Sequence, residues 1–155
     1  MITNEILRRL TSTLELGEEQ MLALFQLGGC ELAADELQRM LLKDHEPDFL
    51  KCWDERLVAF LDGLITERRG PRDTNAPAPQ IVKLTNNAVL KKIRIALDLQ
   101  EPAMLQAFQQ GGVELSRPEL RALFRNEQHK HYKACSDQML RALLVGLEAQ
   151  LQAPS

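Results

Sequence analysis

Residues 4–65 lie over residues 87–148 without a gap, at a shift of 83, and 22 of the 62 paired positions are identical. A self-match of this length means that one supersecondary unit is written twice, so both copies must share one local fold. The identities include Asn4/Asn87, Leu7/Leu90 and Leu14/Leu97, then Met21/Met104, Phe25/Phe108 and Gly28-Gly29/Gly111-Gly112. They continue with Glu36/Glu119 and Leu37/Leu120, and end on Cys52/Cys135, Asp54/Asp137, Ala59/Ala142, Gly63/Gly146 and Leu64/Leu147. Between the copies, Gly70, Pro71, Pro77 and Pro79 mark an extended linker. The expected organisation is a first repeat over 1–66, a linker over 67–85 and a second repeat over 86–155.

Every element reads as helical. Ile6, Leu7, Leu10 and Leu14 recur at three- and four-residue spacing, as do Val89, Leu90, Ile93 and Leu97. Thr3 and Asn86 stand at matching positions as expected N-caps. A second helix carries Met21, Leu24 and Phe25, matched by Met104 and Phe108, and the glycine pairs supply the left-handed residue that closes it. A third carries Leu37, Met40 and Leu41; its twin, from Pro118 to Arg125, opens on a Ser116/Glu119 capping box that Ala33 leaves incomplete in the first copy. The fourth carries Leu57, Phe60, Leu61 and Leu64, with Asp54 and Asp137 as expected N-caps. Gly63 and Gly146 fall inside it, where glycine costs about 1 kcal/mol relative to alanine, and close helix–helix approach is the expected compensation. No segment alternates as a half-buried strand does. The fold class is therefore all-α: two tandem four-helix units, each marginal alone, packed with pseudo-two-fold symmetry.

Two copies of N-x-x-L-(basic)-(basic), then F-Q-x-G-G-x-E-L, C-x-D and L-x-G-L resemble the YehS-like family of bacterial tandem-repeat proteins, a domain of unknown function. Asn4 to Arg9, Phe60 to Ile65, Asn87 to Arg94 and Cys135 to Gln138 carry the match, which spans essentially the whole chain. The resemblance implies an all-helical bacterial cytosolic protein. It brings no catalytic residue with it.

Composition narrows the function classes. Nineteen bases against 22 acids give a net charge of −3, which argues against a basic nucleic-acid coat protein. The opening residues lack a signal-type apolar core, no run is long enough to span a bilayer, and three cysteines read as reduced thiols, so the cytoplasm is the expected compartment. Thr66 to Arg94 nonetheless carries Arg68, Arg69, Arg72, Lys83, Lys91, Lys92 and Arg94 against only Glu67 and Asp73, a local +5. Arg8 and Arg9 would add to that patch if the two first helices lay together. The plainer alternative is a solvated face.

Three further features invite chemistry. Cys52 and Cys135 read as small buried thiols beside a cap, or as a redox-sensitive pair if symmetry brings them near one another. His129 and His131 precede Cys135 at a spacing that matches no common zinc motif, so no metal site is expected. Ala107-x3-Gly111, with Val113 and Ser116, resembles a helix-turn-helix in which Arg117, Arg121 and Arg125 would face nucleic acid. Its twin in the first copy is far less basic, and Phe25, Phe60, Phe108 and Phe124 at apolar helix positions leave no stacking platform. No nucleophile elbow, H-E-x-x-H or dinucleotide fingerprint is present.

The reading that follows is a non-enzymatic protein-binding or regulatory module without a cofactor. Its partner is a protein or a second copy, and its charged surface is built from Arg8, Arg9, Arg68, Arg69, Lys91, Lys92 and Arg94. The alternative is nucleic-acid binding through the same surface, with Arg117, Arg121 and Arg125 as second candidates. A weaker alternative is a thiol sensor using Cys52 and Cys135, and no membrane role is expected.

Overall fold

The computed structural model describes residues 2–70 and 84–152. It contains α1 (Thr3–Thr13), α2 (Glu18–Leu27), α3 (Ala34–Met40), α4 (Asp54–Arg69), α5 (Asn86–Leu97), α6 (Glu101–Gln110), α7 (Arg117–Ala122) and α8 (Asp137–Leu151), with no strand among the described residues. Within each unit the second and fourth helices form the closest pair, α2 with α4 and α6 with α8. The first helices behave differently: α5 packs chiefly on α4 of the other unit, and α1 chiefly on α8. This reciprocal exchange is the pseudo-two-fold arrangement, and it merges both units into one continuous core around Phe25, Phe60 and Phe108.

The glycines explain the close pairs. A Cβ on Gly28 would collide with the backbone of Ala59, and one on Gly63 with the backbone of Leu24. Gly111 and Gly146 meet Ala142 and Ala107 in the same way. Each pair of helices thus touches backbone to backbone at positions four apart on both, all of them Gly or Ala in the second unit and with Leu24 as the one larger residue in the first, the compensation expected for a mid-helix glycine. Gly29 and Gly112 take φ of +91° and +96° and turn the chain out of α2 and α6, a conformation glycine adopts without a Cβ penalty.

Helix starts differ from expectation by one residue. Thr3, Asn86, Asp54 and Asp137 are first helical residues, and the N-caps are Ile2, Thr85, Trp53 and Ser136. Thr3 and Asn86 instead reach across the unit, donating to the carbonyls of Cys52 and Cys135. The Ser116/Glu119 capping box forms, while in the first unit only the Glu36 bond to the Ala33 N–H remains. The third helix of the second unit stops at Ala122, short of the expected Arg125, so Phe124 lies beyond the helix. Helix α4 runs to Arg69, so Glu67 to Arg69, read as the start of the linker, are helical; Arg72 and Lys83 lie outside the described residues.

Candidate functional site

Asn4 and Asn87 fix the loop before the fourth helix of each unit. The Asn4 Nδ2 donates to the Met40 and Leu50 carbonyls, each at 2.9 Å, and its Oδ1 accepts from the Cys52 N–H at 2.9 Å. Asn87 repeats all three bonds with Leu123, Lys133 and Cys135, at 2.9, 2.9 and 2.8 Å. An asparagine at the start of the apolar stripe, three residues before Leu7 or Leu90, was the available signal for this clamp. Its first consequence is that Cys52 and Cys135 are held under it. Both thiols are buried and free; burial pushes Cys52 up to about 12 and Cys135 up to about 11, so both stay protonated near neutral pH. The charge that Cys52 feels from another thiol comes from Cys30.

The expected cationic surface is divided among local partners. Arg9 bonds Glu5 at 2.9 Å, and the same carboxylate takes Arg141 of α8 at 3.0 Å. Lys92 is paired with Asp62 of α4, and Arg69 with Asp98 at 3.2 Å. Arg8 donates to the Leu42 carbonyl, and Arg94 lies 4.6 Å from the Phe124 ring centroid. Arg68 and Lys91 point to solvent. Helix α1 rides chiefly on α8 and α5 on α4, so the two first helices are not a principal packing pair.

The second candidate surface behaves similarly. Arg121 reaches Glu101 at 3.3 Å and Arg117 reaches it at 4.0 Å, while Arg125 contacts His129 at 3.2 Å. Helix α7 spans six residues, less than two turns. The rings of His129 and His131 lie 5.6 Å apart and tilted by 42°, and no group of three or more metal-ligating side chains occurs among the described residues.

A different surface emerges from comparing the two units at their helix starts. In the second unit the N-caps of α5, α7 and α8 are Thr85, Ser116 and Ser136, and each side chain accepts a hydrogen bond from the third residue of its helix. The equivalent residues of the first unit are Ile2, Ala33 and Trp53, and none of them caps. A lost cap of this type costs about 1 kcal/mol. Two of the three replacements are large apolar residues left in solvent, Ile2 at 43% and Trp53 at 56% exposure. Ile2 and Trp53 are the chain neighbours of Thr3 and Cys52, whose hydroxyl and carbonyl are bonded to each other, and Lys51 lies 5.1 Å from the indole centroid. The signal for Trp53 lies in the repeat itself, since it is the single tryptophan and stands where the other copy has serine; the identities between the copies, which mark the shared core, do not include it.

At the matching end of the second unit the surface is hollow. Thr85, Lys91, Leu123, Phe124, Arg125 and Tyr132 line a cleft of about 310 Å³. Phe124, expected inside a helix, forms part of its wall. In the first unit, by contrast, Arg8, which corresponds to Lys91, folds back onto the carbonyl of Leu42, which corresponds to Arg125.

No helix among the described residues is long and apolar enough to cross a membrane. No solved structure matches the chain. The chain is 37% identical to Uncharacterized protein YehS of Escherichia coli (strain K12) over 151 residues, which cover 97% of this chain and 96% of that relative. A family profile described as a protein of unknown function, DUF1456, matches twice, over 3–70 and 86–152. The two matched segments begin and end with the two helical units, and the chain therefore belongs to the DUF1456 family, as a tandem pair of its repeat.

Proposed function

We propose that this chain is a non-enzymatic protein-binding module acting in the cytoplasm. One observation carries the reading: the first unit exposes Trp53 and Ile2 at positions where its twin keeps capping hydroxyls. A tryptophan more than half exposed on an otherwise well-packed helical protein is the residue type that anchors protein interfaces. Three free cysteines suit a reducing compartment. The nucleic-acid reading has less to stand on, since Arg9, Arg69, Lys92, Arg117 and Arg121 already face carboxylates. The thiol reading must work with two buried, protonated sulfurs. The test is a photo-reactive phenylalanine analogue placed at position 53 in growing cells, with exposed Gln110 as the control position. Discrete protein adducts from position 53, absent from the control, are expected; adducts no different from the control refute the reading.

A further inference from the structure

We infer that the partner of the Trp53 surface is a second copy of this chain, the first-unit end of one copy seating on the cleft of the other. The inference rests on the protein-binding reading above and names its occupant. Its basis is complementarity between two ends that duplication made equivalent. Over residues 42–55 the first unit carries Lys43 and Lys51 against Asp44, Glu46, Asp48, Asp54 and Glu55, a net −3. The equivalent stretch 125–138 carries Arg125, Lys130 and Lys133 against Glu127 and Asp137, a net +1; each stretch has one further base beside it, Arg8 on α1 and Lys91 on α5, so the two ends stand at −2 and +2. Shape follows charge. The acidic end presents the exposed apolar side chains of Ile2 and Trp53. The basic end presents a cleft of about 310 Å³, at the low end of the size range of small-ligand pockets, in which Leu123, Phe124 and Tyr132 meet a mixed polar rim that includes Lys91, Arg125 and Glu127, so an aromatic side chain with a polar edge would fit it.

Like ends therefore repel and unlike ends attract, which sets the register of association. With a two-fold axis between copies, the contact forms twice, each copy giving its acidic end and receiving on its basic end; such an isologous pair closes at two and does not grow into a fibre. The lost caps fit this account. Ile2 and Trp53 forgo hydrogen bonds that would steady α1 and α4, and the compensation is apolar area buried only in the pair.

The experiment uses the purified full chain. Sedimentation equilibrium over a broad dilution series is run beside tryptophan emission, which reports on position 53 alone because the chain has one tryptophan. A dimer whose emission shifts to the red on dilution is expected, with association weakening as salt rises. Two variants copy the second unit's own residues, Trp53→Ser and Ile2→Thr. Each restores a cap, so each should melt about 2–4 °C higher as a monomer while weakening the dimer at least tenfold. Lys91→Glu with Arg125→Glu should weaken it comparably from the receiving side. A strict monomer at every concentration overturns the inference, as does a dimer that Trp53→Ser leaves intact. In either case, adducts from position 53 with another protein would leave the protein-binding reading standing, whereas their absence would remove both.

Discussion

Replacing Asn4 with alanine tests whether the clamp, and not helix propensity, holds the first unit together. The side chain is fully buried and makes three hydrogen bonds to backbone groups 36 to 48 residues away. Each bond contributes roughly 1 kcal/mol net, and its loss leaves a backbone group unpaired behind it. Alanine is the better helix former and returns a few tenths of a kcal/mol. The expected cost is therefore about 3–4 kcal/mol, a large fraction of a total stability of roughly 5–15 kcal/mol. For a chain of this size that is a fall in Tm of about 10 °C. Asn87→Ala supplies the internal control. Its three bonds have the same lengths within 0.1 Å, but its side chain is only half-buried, so water can reach the orphaned groups. Its cost should be nearer 2 kcal/mol. Urea unfolding followed by far-ultraviolet circular dichroism gives both values from midpoints and slopes. A cost below about 1 kcal/mol for Asn4→Ala, or a larger cost at Asn87 than at Asn4, would refute the argument that burial sets the strength of the clamp.

Other perturbations follow from single contacts. Gly63→Ala and Gly146→Ala, stabilising by about 1 kcal/mol in an open helix, should instead destabilise by about 2 kcal/mol or more, because the new methyl meets the carbonyls of Leu24 and Ala107; a rise in Tm would contradict the backbone contact. Thr13 is 3% exposed with no partner for its hydroxyl, so Thr13→Val should raise stability by about 1 kcal/mol on a urea curve; a loss of that size would mean the hydroxyl is bonded after all. The hydrogen bond from Arg141, with help from Arg9, holds Glu5 at about 2, down from 4.5. A depressed folded pKa stabilises above the ordinary value and is lost as pH falls through about 2. Wild type should thus exceed Glu5→Gln by about 1 kcal/mol near neutrality, after discounting for the half-exposed Arg141, and the gap should close in acid; a gap constant with pH would deny the ion pair its role.

The parts of this fold legible in the sequence are those with a local signature. The repeat and the amphipathic helices follow from spacing alone, and the Gly28-Gly29 and Gly111-Gly112 pairs follow from the backbone conformation they allow. The helix starts slipped by one residue because Thr3 and Asp54 are cap-type residues, while the true caps of the first unit, Ile2 and Trp53, carry no capping chemistry to recognise. Helix α7 ends before its apolar pattern does, and the Leu123 carbonyl just beyond it is taken by Asn87, 36 residues earlier, a contact between distant segments that spacing does not show. The cationic surface was overcounted for a related reason. A count treats each Arg and Lys as free, whereas Arg69 finds Asp98 and Lys92 finds Asp62, each in the other unit. Such pairings are fixed by tertiary packing, which charge statistics along the chain do not see.

The exchange of first helices also explains how one unit can give up its caps. A free-standing unit of some 60 residues has little stability to spare, so three missing caps, about 3 kcal/mol in sum, would approach its whole margin. Here the start of α1 is held by other means. Asn4 binds its start to the loop of its own unit, and packing against α8, with Glu5 bridging Arg9 and Arg141, ties it to the other unit. Helix α4 is likewise covered by α2 through Gly63 and by α5 through Lys92 and Asp62. Helices secured along their length tolerate unsatisfied first turns, because the end no longer decides whether the helix forms. The first unit's helix starts are thus relieved of a capping duty that those of the second unit perform, and Ile2 and Trp53 occupy the uncapped positions.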